Sequence, residues 1–190
     1  MTKINLYPIK DQISAKFAAI CQENPNLSLE LSATGELRVM SPTGGETGRQ
    51  NAYLLGLFFV WNQANQLGVL FDSSTCFRLS NGALFSPDLA WVTLERWNNL
   101  SKDEQQKFPP LAPDFVLELL SPSDSLPQLQ NKMREYLQGG VPLGWLLNPN
   151  LKSLEIYRLN SEVEILSNPL TIAAEKILPG LVINLTSIWG

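Results

Sequence analysis

The chain has 190 residues, of which 44% are hydrophobic and 17% charged, a composition typical of globular proteins and not of disordered or collagen-like ones. At this length we expect one domain over residues 1–190. Histidine is absent, which excludes Ser-His-Asp triads, Cys-His dyads and zinc sites that include histidine. Any catalysis must therefore rest on carboxylates, lysine, hydroxyls or hard metal ions bound through oxygen.

The charge is slightly acidic, with 14 basic and 18 acidic residues and a net charge of -4. Because the basic residues are scattered, the whole molecule is not built to attract nucleic acid. The only two cysteines, Cys21 and Cys76, do not make a disulfide framework, which favours a reducing compartment. The longest apolar run, around residues 54–61, is shorter than the roughly 20 residues that cross a bilayer, and residues 1–10 are not of signal-peptide type. We therefore expect a cytoplasmic protein without a membrane partner.

The first half of the chain predicts a helix, a hairpin and a second, longer helix. Helical spacing covers residues 11–22. The segments LSLELSA and ELRVM flank Thr34-Gly35, which is typical of a hairpin turn. The longer helix lies between Gly44-Gly45 and Gly68, and short strands follow over residues 69–92.

The second half begins with a polar surface excursion over residues 93–110, with two short helical turns. DFVLELL is apolar on both faces, as in a central strand. A helix, PQLQNKMREYLQGG, and the closing strands PLGWLLNP, SLEIYRLN and VEILS complete the chain. The order of elements predicts an α/β (α+β) fold, a mixed β-sheet flanked by helices with an N-terminal helix and hairpin.

Two acidic residues stand out in the predicted strands. Glu118 shares a strand face with Val116 and Leu120, and a carboxylate there costs several kcal/mol unless it is paired, protonated or bound to metal. A pair with a neighbouring Lys or Arg near the strand end explains Glu118 equally well. Asp88 opens an apolar strand after Pro87, although Ser-Pro-Asp is also ordinary turn chemistry, and alone it favours a structural role.

Two charged residues stand out in the predicted helices. Helical spacing puts Glu46 on a stripe with Gln50, Tyr53, Leu57, Val60 and Ala64, so we expect its carboxylate to point toward the sheet. A capping box, Thr43-x-x-Glu46, explains Glu46 slightly better. Lys132 borders the apolar stripe of the later helix, and a surface lysine is the more frequent outcome there.

Together these four residues predict one site for a hard cation. Oxygen-only ligation suits Mg²⁺ or Mn²⁺. Without histidine, metal-assisted hydrolysis of a phosphodiester is the reaction best suited to three carboxylates and a lysine.

Several sequence blocks in order resemble the Uma2 family, formerly DUF820, of the PD-(D/E)xK nuclease superfamily. The resemblance covers the chain from about Leu27 onward. The blocks are MSPTGGETGRQNAYLLGLFFVW, STCFRLSNGALFSPDLAWV, DFVLELLSPSD, LQNKMREYLQGGVPLGWLLNP and ILPGLVINL. The resemblance implies a restriction-endonuclease-like fold. It also implies a divalent-metal-dependent endonuclease that acts on nucleic acid, with DNA as the expected substrate.

The resemblance also assigns roles to the unusual charges. Pro87-Asp88 matches the "PD", Glu118 matches the "(D/E)", and Glu46 matches an acidic residue supplied by an N-terminal helix. Asp88 and Glu118 are then metal ligands, with Glu46 as an outer ligand or a group that orients water. The lysine expected two residues after Glu118 is replaced by Leu120, and Lys132 in the next helix is the candidate for the migrated catalytic cation.

Two other hypotheses remain open. The chain can be a catalytically inactive binding or assembly module, in which an exposed Trp97, residues 93–110 or the tail ILPGLVINLTSIWG contacts a partner or forms a homodimer. Alternatively, the four charged residues never meet and pair locally. For the nuclease, a local patch is the candidate for phosphate contacts; its members are Arg49, Arg78, Lys132 and Arg134.

Overall fold

The computed structural model describes residues 2–174 and 176–189. A short 3-10 turn at Tyr7–Ile9 precedes the first of six α-helices in this part of the chain. The helices are α1 (Lys10–Glu23), α2 (Gly45–Asn65), α3 (Leu94–Asn98), α4 (Lys102–Gln106), α5 (Leu126–Gln138) and α6 (Thr186–Trp189).

The strands belong to three sheets. They are β1 (Thr2–Asn5), β2 (Ser28–Leu31), β3 (Glu36–Met40), β4 (Gly68–Asp72), β5 (Phe77–Arg78), β6 (Leu84–Phe85), β7 (Leu89–Thr93), β8 (Phe115–Leu119), β9 (Leu143–Asn148), β10 (Ser153–Arg158), β11 (Glu164–Ser167), β12 (Thr171–Ala173) and β13 (Val182–Asn184).

The largest sheet has six strands in the order β11-β10-β9-β8-β7-β4. Only β8 and β9 pair in parallel, and α5 connects them; the other neighbours are antiparallel. This is the mixed sheet that the sequence predicts, and β8 is central and buried at all five of its positions.

Alternation along β8 sends its side chains into two separate cores. Leu117 and Leu119 pack in the core that includes Phe58 of α2 and the C-terminal segments. Val116 and Leu120 pack in the other core, which includes Met133 of α5. Glu118 therefore lies on the α5 side of the sheet, as its spacing predicts.

The second sheet has five strands in the order β1-β3-β2-β6-β5. It contains the predicted hairpin, β2 and β3, whose turn includes Gly35 at a φ of 81°, a left-handed conformation that glycine adopts without a side-chain clash. The sequence pattern does not predict β1, the β12-β13 pair or α6, because these elements are short and lack a strong periodic pattern.

The core-facing stripe of α2 differs from the predicted one by about one position. Thr47, Gln50, Leu54, Phe58 and Trp61 are the buried residues of α2, whereas Val60 is 68% exposed. The predicted capping box is also absent, because the residue that caps α2 is Gly44 and no side chain caps the helix. The expected core-facing orientation of Glu46 was wrong, since its side chain is 65% exposed, although Glu46 does lie in the first turn of α2, where a carboxylate is favourable.

Of the two surfaces that the sequence offered for partner contacts, the C-terminal tail is buried within this chain and Trp97 is partly buried. The tail from Leu178 to Trp189 contributes six buried side chains to the core that contains α2. Trp97 is half-buried against Phe71, with 5.1 Å between the ring centroids. The predicted surface excursion is confirmed as α3 and α4. In the described ranges, none of the helices has the length and apolarity needed to span a bilayer.

We expect Gly68→Ala to destabilise the protein by about 1–3 kcal/mol, because a Cβ at this position collides with the Val92 carbonyl and the Trp91 ring. Gly56→Ala is the matched control: its Cβ meets nothing within 4 Å, and alanine in a helix stabilises by about 0.5–1 kcal/mol relative to glycine. Urea denaturation of the three proteins measures both changes. Equal stabilities for the two variants would contradict the close approach at Gly68.

Candidate active site

A cavity of about 480 Å³ lies where residues of both large sheets and α5 meet. Its lining includes four carboxylates and one ammonium group. The carboxylates are those of Glu30 on β2, Asp88 just before β7, Glu118 on β8 and Asp124 just before α5, and the ammonium group is that of Lys132 on α5.

Lys132 lies between two buried carboxylates. Its Nζ is 2.8 Å from Glu118 Oε1 and 2.8 Å from Glu30 Oε1. All three side chains are at most 5% exposed. Since β2, β8 and α5 each provide one of these groups, the ammonium joins three separate elements of the fold.

Helical geometry explains why Lys132 is buried. Leu129, Lys132, Met133 and Tyr136 share the face of α5 that packs on the sheet. The Lys132 Nζ lies 5.6 Å from the centroid of the Phe85 ring and 5.7 Å from that of Tyr136, close enough for cation–π attraction. The Tyr136 hydroxyl also donates a 2.9 Å hydrogen bond to Glu118 Oε1, so this helix face holds Glu118 through two groups.

The Asp88 carboxylate is oriented by hydrogen bonds from two other elements. The backbone N–H of Leu119 donates to Oδ2 at 2.8 Å, and the Asn51 side chain of α2 donates to Oδ1 at 3.3 Å. Because Leu119 follows Glu118 in β8, the first bond places Asp88 beside the residue that carries the second carboxylate. Asp88 is therefore more than a turn residue.

The cavity lining shifts the pKa values of its ionisable groups. Burial raises the pKa of the Glu118 carboxyl, and the opposing effect of Lys132 does not cancel it. One ammonium is shared between two carboxylates, Glu118 and Glu30. Burial also raises the pKa of Asp88, against the hydrogen bond from Leu119. For Lys132, burial favours the neutral amine, but Glu118 and Glu30 outweigh it and hold the pKa above its ordinary value.

Both cysteines also line the cavity. Burial raises the pKa of the Cys76 thiol to about 12, and burial raises the pKa of Cys21 as well. Since the thiolate is the reactive form, neither side chain has the properties of a catalytic nucleophile.

The structure brings together three of the four residues singled out from sequence. Asp88, Glu118 and Lys132 line the same cavity, so these three do not simply pair locally at separate places. Glu46 is not with them: its carboxylate forms a 2.6 Å ion pair with Arg49 on the surface of α2. The helix stripe that was expected to direct Glu46 toward the sheet lies one position further along.

The four basic residues of the predicted phosphate-binding patch do not converge. Arg49 binds Glu46, Arg78 donates to Ser14, and Arg134 lines a different pocket beside Lys3 and Arg38. Within the described part of the chain, Lys132 is the one basic residue that lines the cavity.

Sequence reasoning missed two of the carboxylates. Glu30 lies on the hairpin strand β2, where alternation with Leu29 and Leu31 is equally typical of an exposed acid. Asp124 follows Ser121, and its Oδ2 accepts hydrogen bonds from the backbone and hydroxyl of that serine. The sequence contained two weak indications of these acids. Asp124 lies in a serine-rich turn after β8, and Glu30 is a charged residue between two leucines.

The donor chemistry of the cavity fits a hard divalent cation. Asp88 and Glu118 offer carboxylate oxygens, and every hydrogen bond or ion pair to Glu118 from the described residues goes to Oε1. The described residues contain no cluster of three or more Asp, Glu, Cys or His side chains able to hold a metal ion. Mg²⁺ is commonly held by one or two carboxylates with substrate phosphates and water, so two protein ligands suffice.

We expect Lys132→Met to lower the free energy of unfolding by about 3–5 kcal/mol, because it leaves two buried carboxylates without a counter-ion. Adding Glu30→Gln to that variant removes one of these charges and is expected to restore at least about 1 kcal/mol. Guanidinium denaturation of wild type, both single variants and the double variant measures the coupling. A loss below about 1 kcal/mol in Lys132→Met would contradict the shared ion pair.

A solved structure from Anabaena variabilis ATCC 29413, described as a putative nuclease belonging to DUF820, has a similar fold with a TM-score of 0.72. The two chains are 16% identical, and the match covers 85% of this chain and 89% of the other. No curated protein matches the chain.

The family model named Uma2, described as "Putative restriction endonuclease", matches residues 14–186. This match contains every carboxylate of the cavity as well as Lys132. The chain therefore belongs to the Uma2 family.

Proposed function

We propose that this chain is a metal-dependent endonuclease that hydrolyses phosphodiester bonds of nucleic acid, with DNA as the first substrate to test. The observation that carries the proposal is that Asp88, Glu118 and Lys132 converge in one cavity. Membership of the Uma2 family, whose description is "Putative restriction endonuclease", supports the same reaction.

In this proposal, Asp88 and Glu118 hold Mg²⁺ or Mn²⁺. When bound, the cation supplies Lewis-acid polarisation of the phosphoryl oxygen and lowers the pKa of water. Leu119 keeps Asp88 beside Glu118 through its backbone N–H, and Tyr136 orients the Glu118 carboxylate. These two hydrogen bonds restrict the orientations of the Asp88 and Glu118 carboxylates, and such restriction of the ligands raises the affinity of a metal site.

Lys132 provides the positive charge of the site. Its ammonium stays protonated because two carboxylates flank it, so we propose that it stabilises negative charge developing on the phosphoryl group. Its position on α5 matches the migrated lysine implied by the family resemblance.

The acidic cavity also has a consequence for substrate binding. Four carboxylates and one ammonium repel a polyanion unless cations intervene. We therefore propose that the divalent ion is required for nucleic-acid binding to this site as well as for hydrolysis. Glu46 lies outside the cavity, so the proposal does not use it as a ligand.

A second candidate function follows from the same charge balance. Because Lys132 is already engaged by Glu30 and Glu118, the scaffold can act as a non-cleaving binding or assembly module, including as a homodimer. Metal binding and nucleic-acid binding without cleavage would favour this second candidate over the nuclease.

We expect wild type to cleave DNA in Mg²⁺ or Mn²⁺, and Asp88→Asn and Glu118→Gln to lower the cleavage rate by at least about 100-fold, because each removes a charged metal ligand. The assay uses supercoiled, linear and single-stranded DNA, and RNA, with EDTA as the metal-free control.

Two matched variants control for loss of a partly or fully buried charge. Glu155→Gln alters a buried carboxylate that accepts from Tyr157, just as Glu118 accepts from Tyr136. Asp114→Asn alters a carboxylate that accepts from the Thr93 backbone N–H. Neither residue lines the cavity, and both variants are expected to cleave like wild type. Cleavage by Asp88→Asn and Glu118→Gln at the wild-type rate would refute the proposed site.

We expect Mn²⁺ at about 100 times its dissociation constant to raise the melting temperature of wild type by roughly 5–10 °C, because an ion that binds only the folded state stabilises it by about 2.7 kcal/mol. Differential scanning calorimetry measures the shift. Asp88→Asn is expected to lose it and Asp114→Asn to keep it. An equal shift in all three proteins would place the ion elsewhere.

A further inference from the structure

One atom in the cavity lining has no hydrogen-bond partner. Glu30 is only 2% exposed. Its Oε2 accepts no hydrogen bond from any residue in the ranges 2–174 and 176–189. Its other oxygen, Oε1, accepts from Lys132 and from the backbone N–H of Ser86 at 2.9 Å. A buried carboxylate oxygen without a donor is costly, so a donor from outside the chain is expected at Oε2.

The neighbouring lysine has the complementary capacity. An ammonium group has three N–H donors, and Lys132 directs two of them to Glu30 Oε1 and Glu118 Oε1. Among the described residues, no oxygen or nitrogen atom accepts the third N–H. Glu30 and Lys132 both line the cavity, and their direct ion pair keeps the free acceptor and the free donor next to each other.

A group that binds both Glu30 Oε2 and the third N–H of Lys132 must donate one hydrogen bond and accept another. A water molecule or a hydroxyl does so with one oxygen atom, whereas a metal ion cannot donate and a phosphate oxygen cannot donate when ionised.

We propose that Glu30 Oε2 and Lys132 Nζ hold the water molecule that attacks phosphorus. This inference rests on the proposed nuclease function and adds Glu30 as a catalytic residue on β2. Asp88 and Glu118 would hold the cation, and Glu30 and Lys132 would hold the nucleophile.

The chemistry balances without a further reactant. The water oxygen forms a bond to phosphorus, and the bond from phosphorus to the leaving sugar oxygen breaks. One water proton passes to Glu30 Oε2 and then to solvent, and the leaving oxygen takes a proton from bulk water. The Lys132 ammonium donates one N–H to the attacking oxygen, which orients that oxygen, and the ammonium stays protonated.

Glu30→Gln separates this role from a structural one. The amide oxygen can replace Oε1 and keep the bonds from Ser86 and Lys132, while the amide NH₂ replaces the acceptor Oε2 by a donor. Lys132 retains Glu118 as its counter-ion. The variant is therefore expected to keep its melting temperature within a few degrees and its Mn²⁺-induced shift.

We expect kcat of Glu30→Gln to fall by at least about 100-fold with KM changed less than about threefold, a size typical of losing a group that takes a proton in the transition state. Glu155→Gln, which alters a buried carboxylate outside the cavity, is expected to keep wild-type kcat. Wild-type kcat in Glu30→Gln would overturn the assignment. A loss confined to RNA would also overturn it, because Glu30 would then bind the 2′-hydroxyl of the substrate.

A crystal structure of wild type with Ca²⁺ tests the oxygen position without any turnover. We expect one ordered oxygen within about 3.2 Å of both Glu30 Oε2 and Lys132 Nζ, and its loss or displacement in Glu30→Gln. A protein donor at Oε2, or no oxygen there, would refute the inference. If wild type fails to cleave but the oxygen is present, the binding position stands and the nuclease proposal fails.

Discussion

The shared ammonium of Lys132 is the interaction on which the candidate site depends. It contacts Glu30 of β2 and Glu118 of β8 at the same distance of 2.8 Å. Each carboxylate alone would pay a large desolvation penalty in this position. With the ammonium between them, two acids can be buried on facing elements, and the five-stranded sheet, the six-stranded sheet and α5 are held together by charge as well as by apolar contacts.

The supporting contacts of the site run through the backbone of the same elements. Ser86 donates its N–H to Glu30, and two residues later Asp88 accepts the N–H of Leu119. The short Ser86-Pro87-Asp88 segment thus connects the acid of β2 to the strand that carries Glu118. Such backbone bonds orient carboxylates at little cost in side-chain entropy, which favours a preorganised site.

The electrostatics of the cavity connect the fold to its proposed chemistry. The overall charge of -4 already argues against a general nucleic-acid binder, and the cavity has four acids and one base. A polyanion can approach such a surface only with cations. For the proposed nuclease, a bound cation would therefore serve both nucleic-acid binding and catalysis, whereas without a metal this cavity would repel nucleic acid.

The sequence alone determined most of the helices and strands and the strand face of Glu118, because period-2 alternation puts Glu118 on the same face as Val116 and Leu120. It also singled out Asp88 and Lys132, through an acid at a strand start and a lysine at the border of an apolar stripe. It failed for Glu46, since a helix stripe on α2 with apolar residues on several faces can be assigned one position too early.

Only the tertiary structure decided the partners of these charges. Glu30 and Lys132 are far apart in the chain, and no local pattern distinguishes a buried acid on β2 from an exposed one until the second sheet and α5 close over it. Likewise, the C-terminal tail has the composition of a partner surface but fills this chain's own core. Local periodicity sets which face a residue occupies, whereas packing of distant elements sets what that face meets.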